Sequence, residues 1–140
     1  MENTTIIGVD LGGTNMRAGR IENRELVEVS TKSVPKTDDA NIVLDLLIET
    51  ITSVLTDDVS AIGIGIPGIL DKNTGVLFDI VNIPSWKEIQ LKKELNNHFD
   101  LPIYLDNDAN CFARGENIFG KAQDVENVVG LTLVPEWVQE

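Results

Sequence analysis

An apolar strand that ends in a carboxylate, passes through two glycines and returns at once constrains the fold of this chain most strongly. The segment reads Ile7-Gly8-Val9-Asp10-Leu11-Gly12-Gly13-Thr14-Asn15-Met16-Arg17. Glycine adopts the positive φ angles that a two-residue hairpin turn requires. We therefore predict an antiparallel β-hairpin with Gly12 and Gly13 at its tip.

The same turn carries groups that are suited to binding a phosphate. Consecutive backbone amides form an anion-binding concavity, Gly12 and Gly13 leave it open to a ligand, and Thr14 adds a hydroxyl. Asp10 is placed to hold Mg²⁺ through water, because that ion prefers oxygen ligands and keeps much of its hydration shell. The turn therefore suggests ATP, although neither G-x-x-x-x-G-K-[ST] nor G-x-G-x-x-G is present. A purely structural Gly-Gly hairpin is the alternative.

The rest of the sequence predicts a mixed α/β sheet. Apolar residues that alternate or form short runs predict strands at 5–10, 16–22, 26–34, 61–66, 102–106 and 128–134, with a short strand near 76–80. Helical spacing and capping residues predict helices from Asp38 or Asp39 to about Leu55, from Ser85 to about Asp100, and from Ala109 to Phe119. A three-stranded meander followed by βα units gives one mixed sheet with helices on its faces.

A second group of polar residues, Asp106-Asn107-Asp108-Ala109-Asn110, joins the strand at 102–106 to the last helix. Ligands of α/β sheets bind at the carboxyl ends of strands, where Asp10 and Pro67-Gly68 also lie, so we predict one shared cleft. Here Asn107 and Asp108 are candidates to contact substrate hydroxyls, with Asp108 taking the proton of the attacking one. Simple helix capping is the alternative for each of these residues, but three exceed what one cap needs.

Composition excludes several classes of function. The 140 residues carry a net charge of −12, which argues against nucleic-acid and anionic-membrane partners. No apolar run approaches the about 20 residues of a membrane span, and the start of the chain lacks a signal-peptide pattern. A single cysteine, Cys111, fits a reducing cytoplasm, and with the single His98 it cannot form a Cys/His zinc site. We expect Cys111 and Trp86 to have packing roles.

Four segments, in this order, resemble motifs of the ROK family of sugar kinases and repressors, close to its bacterial glucokinases. They are the phosphate motif Ile7–Asn15, the sugar-side loop Gly63–Asp71, the segment Val81–Trp86, and the segment Asp106–Cys111 with the acid/base carboxylate. The phosphate motif also occurs in actin, hexokinases and heat-shock chaperones, whereas the four together are specific to the family. The resemblance extends from Thr5 to about Leu133 and implies a ribonuclease-H-like, actin-type ATPase domain.

The resemblance also implies a reaction and assigns residues to it. The reaction is transfer of the γ-phosphoryl group of Mg·ATP to a hexose hydroxyl, usually the one on carbon 6. Asp108 carries over as the general base and Asn107 as a contact to sugar hydroxyls. The metal and phosphate side comprises Asp10, Gly12, Gly13 and Thr14. Gly68 and Asn82 are the remaining candidates to line the sugar pocket.

The chain departs from the family after Leu133. Family kinases are roughly twice as long and continue with a second glycine-rich phosphate motif like G-T-G-V-G-[AG]-G, a Glu and a His for the sugar, a zinc site and the adenosine pocket. We therefore expect residues 1–133 to be the N-terminal kinase domain, inactive alone. A homo-oligomer is compatible with the sequence, because the face that a second domain normally covers would be exposed.

Residues 134–140 read Val-Pro-Glu-Trp-Val-Gln-Glu, which is foreign to the family. The DNA GGT-ACC-GGA-GTG-GGT-GCA-GGA encodes the motif, and read one base later it encodes Val-Pro-Glu-Trp-Val-Gln followed by Glu or Asp. We therefore expect a one-base deletion inside the second phosphate motif, which resequencing of that stretch would reveal. Two alternatives to a kinase are a fragment of a sugar-sensing ROK regulator and a non-catalytic remnant. The regulator is disfavoured because such proteins carry a helix-turn-helix before the phosphate motif, whereas nine residues precede Asp10.

Overall fold

The computed structural model describes residues 4–78, 80 and 83–131. Within these residues five strands form a mixed sheet in the order β3-β2-β1-β4-β8. Their bounds are β1 Thr5–Leu11, β2 Asn15–Glu22, β3 Glu25–Ser33, β4 Val59–Ile66 and β8 Ile103–Asn107. Strands β1, β2 and β3 form an antiparallel meander, whereas β4 is parallel to both β1 and β8. The predicted meander followed by parallel strands is confirmed.

The two hairpins of the meander turn in different ways. Asn23 and Arg24 connect β2 to β3 with φ angles of 51° and 73°, as a two-residue turn between twisted strands requires. At the first hairpin the Gly12 N–H donates to the Asn15 carbonyl oxygen at 2.9 Å, which places residues 13 and 14 at the tip.

The predicted hairpin with Gly13 at its tip is confirmed, but the placement of Gly12 at the tip and the positive φ angles of both glycines are wrong. Among the glycines of the described chain, positive φ occurs at Gly68 and Gly75. The contact that favours glycine at position 12 is a steric one. A Cβ atom there would lie 3.0 Å from the Asn15 carbonyl oxygen, which is tighter than most real Cβ contacts, so a side chain would require that carbonyl to move.

One face of the sheet forms the hydrophobic core. Residues at alternate positions of the parallel strands point to this face and are buried: Ile7, Val9, Leu11, Ile62, Ile64 and Ile66. Helix α1, Ala40–Thr52, covers it with Val43, Leu44, Leu47 and Ile51. Asp39 caps the helix by accepting a hydrogen bond from the Asn41 N–H at 2.9 Å, which decides between the two predicted caps. The helix ends three residues before the predicted Leu55.

A small second sheet lies between β4 and α2, where the sequence predicted a connection with a short strand near 76–80 and then a helix from Ser85; the short strand is confirmed. Its strands are β5 Ile69–Asp71, β6 Val76–Phe78 and β7 Glu88–Ile89. The helix predicted from Ser85 is wrong in its first six residues, because Glu88 and Ile89 pair with β6 instead. Helix α2 therefore spans Leu91–Asn96. Trp86 is buried and its Nε1 donates to the Ala40 carbonyl oxygen at 3.0 Å, so its predicted packing role is confirmed.

Helix α3, Asp108–Phe119, packs on the other face of the sheet and ends at Gly120, as predicted. None of its residues, all of which are described, is buried. The predicted strand at 128–134 is wrong over residues 128–131, which pair with no described strand and leave Val129 and Leu131 exposed. Residues 132–134 and the segment 134–140 lie outside the described residues. In the part of the chain that is described, no helix has the length and apolarity to cross a membrane.

Candidate active site at the carboxyl ends of the parallel strands

The strand register aligns three of the predicted site segments. Asp10 pairs with Gly65 across β1 and β4, and Gly65 pairs with Asp106 across β4 and β8. On the antiparallel side, Arg17 lies opposite Asp10. These residues form one row across the sheet face that bears α3, at the carboxyl ends of the three parallel strands.

The phosphate side of the site retains free donors. Val34 N–H donates to the Thr14 carbonyl oxygen at 2.8 Å, which ties the hairpin tip to the end of β3. The Gly12 N–H is used inside the hairpin, whereas no described residue accepts from the N–H groups of Gly13 and Thr14. Two adjacent N–H groups at an open tip fit an anion, so this part of the predicted site suits a phosphate oxygen.

Asp10 suits a magnesium ion that is shared with a substrate. Its side chain is exposed, and among the described residues no cation lies within ion-pairing distance of it, Arg17 included. Mg²⁺ is usually held by one or two protein carboxylates together with water and substrate phosphates. A single uncommitted carboxylate beside the hairpin tip fits that donor set, and the magnesium role of Asp10 stays a prediction.

Asn107 has a structural role in addition to the predicted sugar contact. Its Oδ1 caps α3 by accepting from the N–H groups of Ala109 at 3.0 Å and Asn110 at 3.4 Å. Its Nδ2 donates to the Gly68 carbonyl oxygen at 3.1 Å. The side chain therefore has one N–H left for a sugar hydroxyl.

Asp108 follows as the first residue of α3 and is exposed. One of its oxygens accepts from the Ala109 N–H at 2.8 Å, which leaves the second oxygen available. An exposed carboxylate at a helix N-terminus is stabilised by the helix dipole and accessible to a substrate. This arrangement is what the predicted general base requires.

Asp106 and Lys72 form a contact that the sequence did not reveal. Lys72 Nζ lies 3.0 Å from Asp106 Oδ1, and the same oxygen accepts from Asn110 Nδ2 at 3.0 Å and from the Asn107 N–H at 2.8 Å. Burial acts to raise the pKa of Asp106, but the hydrogen bonds from Asn110, Lys72 and Asn107 outweigh it and hold that pKa below its ordinary value. Sequence gave no signal for this pair, because Lys72 lies in a connection without a recognisable motif.

Cys111 lies one turn along α3 from Asn107 and is exposed, so the expectation of a core packing role is wrong. Partial burial of the thiol raises its pKa, and the charges of Asp106 and Asp108 raise it further. A Cβ atom at Gly65 would lie 3.4 Å from Cys111 Sγ. A Cβ atom at position 65 would thus make ordinary van der Waals contact with α3.

An open cavity of about 860 Å³ extends from this row across the same face of the sheet. Asp10, Asp106 and Asp108 line one end, and Gly8, Gly19 and Gly63 lie side by side along its floor. Gly12, Gly13, Thr14, Gly68 and Asn107 lie outside its lining. The structure thus brings Asp10 and Asp108 to one cavity, with the phosphate turn and the sugar-side loop beyond its edge.

Of the two remaining predicted sugar-side residues, the structure describes Gly68 and does not describe Asn82. Gly68 has a φ angle of 110°, which side chains rarely adopt, and its carbonyl oxygen faces Asn107. The backbone conformation therefore favours glycine there, whereas the hydrogen bond from Asn107 uses a carbonyl oxygen that any residue provides. Asn82 lies outside the described residues.

Comparison with known proteins matches nearly the whole chain to one family. Residues 6–134 match the family described as the ROK family. A glucokinase from Thermotoga maritima is 33% identical over 135 residues, covering 95% of this chain and 43% of the relative. A xylose repressor from Bacillus spizizenii is 34% identical over 91 residues, covering 64% of this chain and 23% of the repressor. The chain therefore spans less than half the length of these relatives.

A solved structure shows the same architecture. A ROK family glucokinase from Streptomyces griseus, in complex with glucose and AMPPNP, superposes with a TM-score of 0.77 and 30% identity. The match covers 86% of this chain and 38% of that chain. The mixed sheet with flanking helices is therefore the actin-like ATPase fold of the sugar kinases in this family, as the sequence predicted.

Proposed function

This chain belongs to the ROK family, and on that premise we propose that it forms the metal- and sugar-side half of an ATP-dependent hexose kinase. The observation that carries the proposal is the position of two exposed carboxylates, Asp10 and Asp108, at the ends of parallel strands on one cavity. Each has an oxygen that no described residue engages. Phosphoryl transfer needs a carboxylate for the metal and another for the nucleophile, so the pair suits this chemistry.

In the proposed reaction the sugar hydroxyl oxygen forms a bond to the γ-phosphorus of ATP. The bond between that phosphorus and the bridging oxygen of ADP breaks, and the hydroxyl proton passes to Asp108. Gly13 and Thr14 donate backbone N–H groups to phosphate oxygens, and Asp10 holds Mg²⁺ through water. When bound, the ion would neutralise charge that develops on the phosphates. Asn107 and Gly68 face the sugar, and Asn82, which lies outside the described residues, is a further candidate by resemblance to the family.

A fragment of a sugar-sensing regulator is the second candidate, favoured by the similarity to a xylose repressor. A non-catalytic remnant is the third. All three are compatible with the same fold. Only the kinase predicts ADP release that depends on Asp108.

A coupled ADP-release assay tests the proposal with glucose, N-acetylglucosamine and N-acetylmannosamine. It compares the 140-residue chain with a longer version in which the reading frame is restored after Leu133. We expect activity in the longer version, and a loss of at least about 100-fold on Asp108→Asn, the lower end for a general base. Asp45→Asn, which neutralises an exposed carboxylate of α1, is the matched control.

Two results would contradict the proposal. If Asp108→Asn retained the rate of the unsubstituted longer version, Asp108 would not be the base. If the 140-residue chain released ADP as fast as the longer version, the claim that it forms half of a site would be wrong.

A further inference from the structure

We propose that Lys72 and Asp106 act as positioning residues that hold the sugar-side loop Pro67-Gly68 against the end of α3 that carries Asp108. We refer to the Lys72–Asp106 ion pair as the latch. The inference rests on the proposed function, because it assigns the latch to the geometry of that site. The latch would set the position of Gly68 relative to Asp108.

The backbone around Lys72 is held by a hydrogen-bonded turn. Lys72 follows Asp71 at the start of the turn between β5 and β6. Asp71 Oδ1 accepts from the Asn73 N–H at 2.9 Å and the Thr74 N–H at 3.4 Å, and its carbonyl oxygen accepts from the Gly75 N–H at 2.8 Å. Gly75 closes the turn with a φ of 72°. The turn therefore presents Lys72 in one direction although its side chain is exposed.

The carboxylate end of the latch is held just as closely. Asp106 Oδ1 receives donors from Lys72, Asn110 and the Asn107 backbone. The Asp106 side chain is 18% exposed, against 64% for Lys72. Since three donors converge on one largely covered oxygen, Asp106 offers the flexible lysine a fixed acceptor.

A second contact attaches the sugar-side loop to the start of α3 at another point. Asn107 Nδ2 donates to the Gly68 carbonyl oxygen at 3.1 Å. Gly68 directly precedes β5, whereas Lys72 directly follows it. On the helix side Asp106 accepts from Lys72 and Asn107 donates to Gly68, and both residues precede Asp108 in sequence. The loop and the β5–β6 hairpin are thus joined to the two residues that orient the proposed base.

The small stabilising effect of an exposed ion pair limits what the latch can affect. An ion pair with one exposed partner contributes little to global stability. Its consequence is therefore local: it limits how far the hairpin moves away from the start of α3. Loss of the latch should loosen residues 68–72 and 106–110 and weaken sugar binding without unfolding the chain.

The test uses the 140-residue chain with Lys72→Met, Lys72→Arg, Asp106→Asn and the double variant Lys72→Met/Asp106→Asn. Lys93→Met removes the same charge from an exposed site on α2 and serves as the control. Amide hydrogen exchange measured by NMR reports mobility at residues 68–72 and 106–110. Titration of the same samples with glucose reports affinity, and urea denaturation reports global stability.

We expect Lys72→Met to accelerate exchange in both segments and to weaken glucose binding by about two- to fivefold, the range implied by exposed ion pairs, at an unchanged unfolding midpoint. Lys72→Arg should keep the exchange rates and the glucose affinity of the unsubstituted chain. The double variant should match Asp106→Asn, because Lys72 has no carboxylate left to pair with once Asp106 is replaced. Unchanged exchange in Lys72→Met, or faster exchange throughout with a lower midpoint, would overturn the proposal. If the unsubstituted chain binds no glucose, the proposed function loses support, while the exchange rates still decide whether the latch exists.

Discussion

The side-chain amide of Asn107 joins the end of β4 to the start of α3: its Nδ2 donates to the Gly68 carbonyl oxygen at 3.1 Å while its Oδ1 accepts from the Ala109 N–H at 3.0 Å. One residue thus caps the helix and binds a loop that is 39 residues away in sequence. The cap orients Asp108, the next residue. The geometry of the candidate base therefore depends on a neighbour that is structural and site-forming at once.

Asn107→Ala should destabilise the chain by about 1 to 2 kcal/mol, because it removes a helix cap and a bond to a loop carbonyl. Urea denaturation followed by circular dichroism measures the change. Asn96→Ala, at an exposed position near the end of α2, is the matched control and should change the stability by less than about 0.5 kcal/mol. Equal effects of the two substitutions would contradict the assigned role.

Gly12→Ala and Gly63→Ala should have effects of opposite sign. A Cβ atom at position 12 would lie 3.0 Å from the Asn15 carbonyl oxygen, tighter than most real Cβ contacts, and the hydrogen bond from the Gly12 N–H holds that oxygen in place, so we expect a loss of about 1 kcal/mol. A Cβ atom at position 63 would meet nothing within 4 Å, and alanine is favoured over glycine in a strand by about 0.5 to 1 kcal/mol. Thermal unfolding of both variants measures the two changes in stability. A stabilising Gly12→Ala would refute the close approach at the turn.

The reactivity of Cys111 should report the charge of Asp108. Burial raises the pKa of this thiol, and the neighbouring carboxylates raise it further, so Asp108→Asn should lower that pKa. The thiolate is the reactive form, and alkylation by iodoacetamide should therefore become faster at a given pH below the pKa. Asp124→Asn, an exposed substitution beyond α3, should leave the pH profile of the rate unchanged. No difference between the two variants would mean that Asp108 does not approach the thiol.

The chain should lose stability in acid, in part through Asp106. Its hydrogen bonds from Asn110 and Lys72 outweigh burial and lower its pKa below the ordinary value of 3.8, so the unfolded chain takes up a proton first as the pH falls. The contribution of Asp106 is thus fully present above the ordinary pKa and is lost as the pH falls through the folded-state pKa. Urea denaturation between about pH 6 and pH 3 measures the slope, since this window spans the ordinary carboxyl pKa. Asp106→Asn should make the slope shallower, and an unchanged slope would be inconsistent with the assignment.

Much of the fold was predictable because its signals are local. Alternation of apolar residues along β1, the cap at Asp39 and the end of α3 at Gly120 depend on nearby residues, and the structure agrees with each. Local signals failed where a distant segment competed for the same backbone. Ser85 and Glu88 form a capping pattern, yet Glu88 pairs with β6, and the helix begins later.

The candidate site was also predictable in part from local signals and in part only from the tertiary structure. The amino-acid sequence by itself determined the types of group that the chain offers, the family that they resemble and the strand ends at which Asp10 and Asp108 lie. Only the tertiary structure decided that Asn107 binds Gly68 and that Lys72 meets Asp106. The reason is physical: a residue's preference for strand or turn comes from its neighbours in sequence, whereas a contact across the fold depends on sheet register and helix placement, which many distant residues set together.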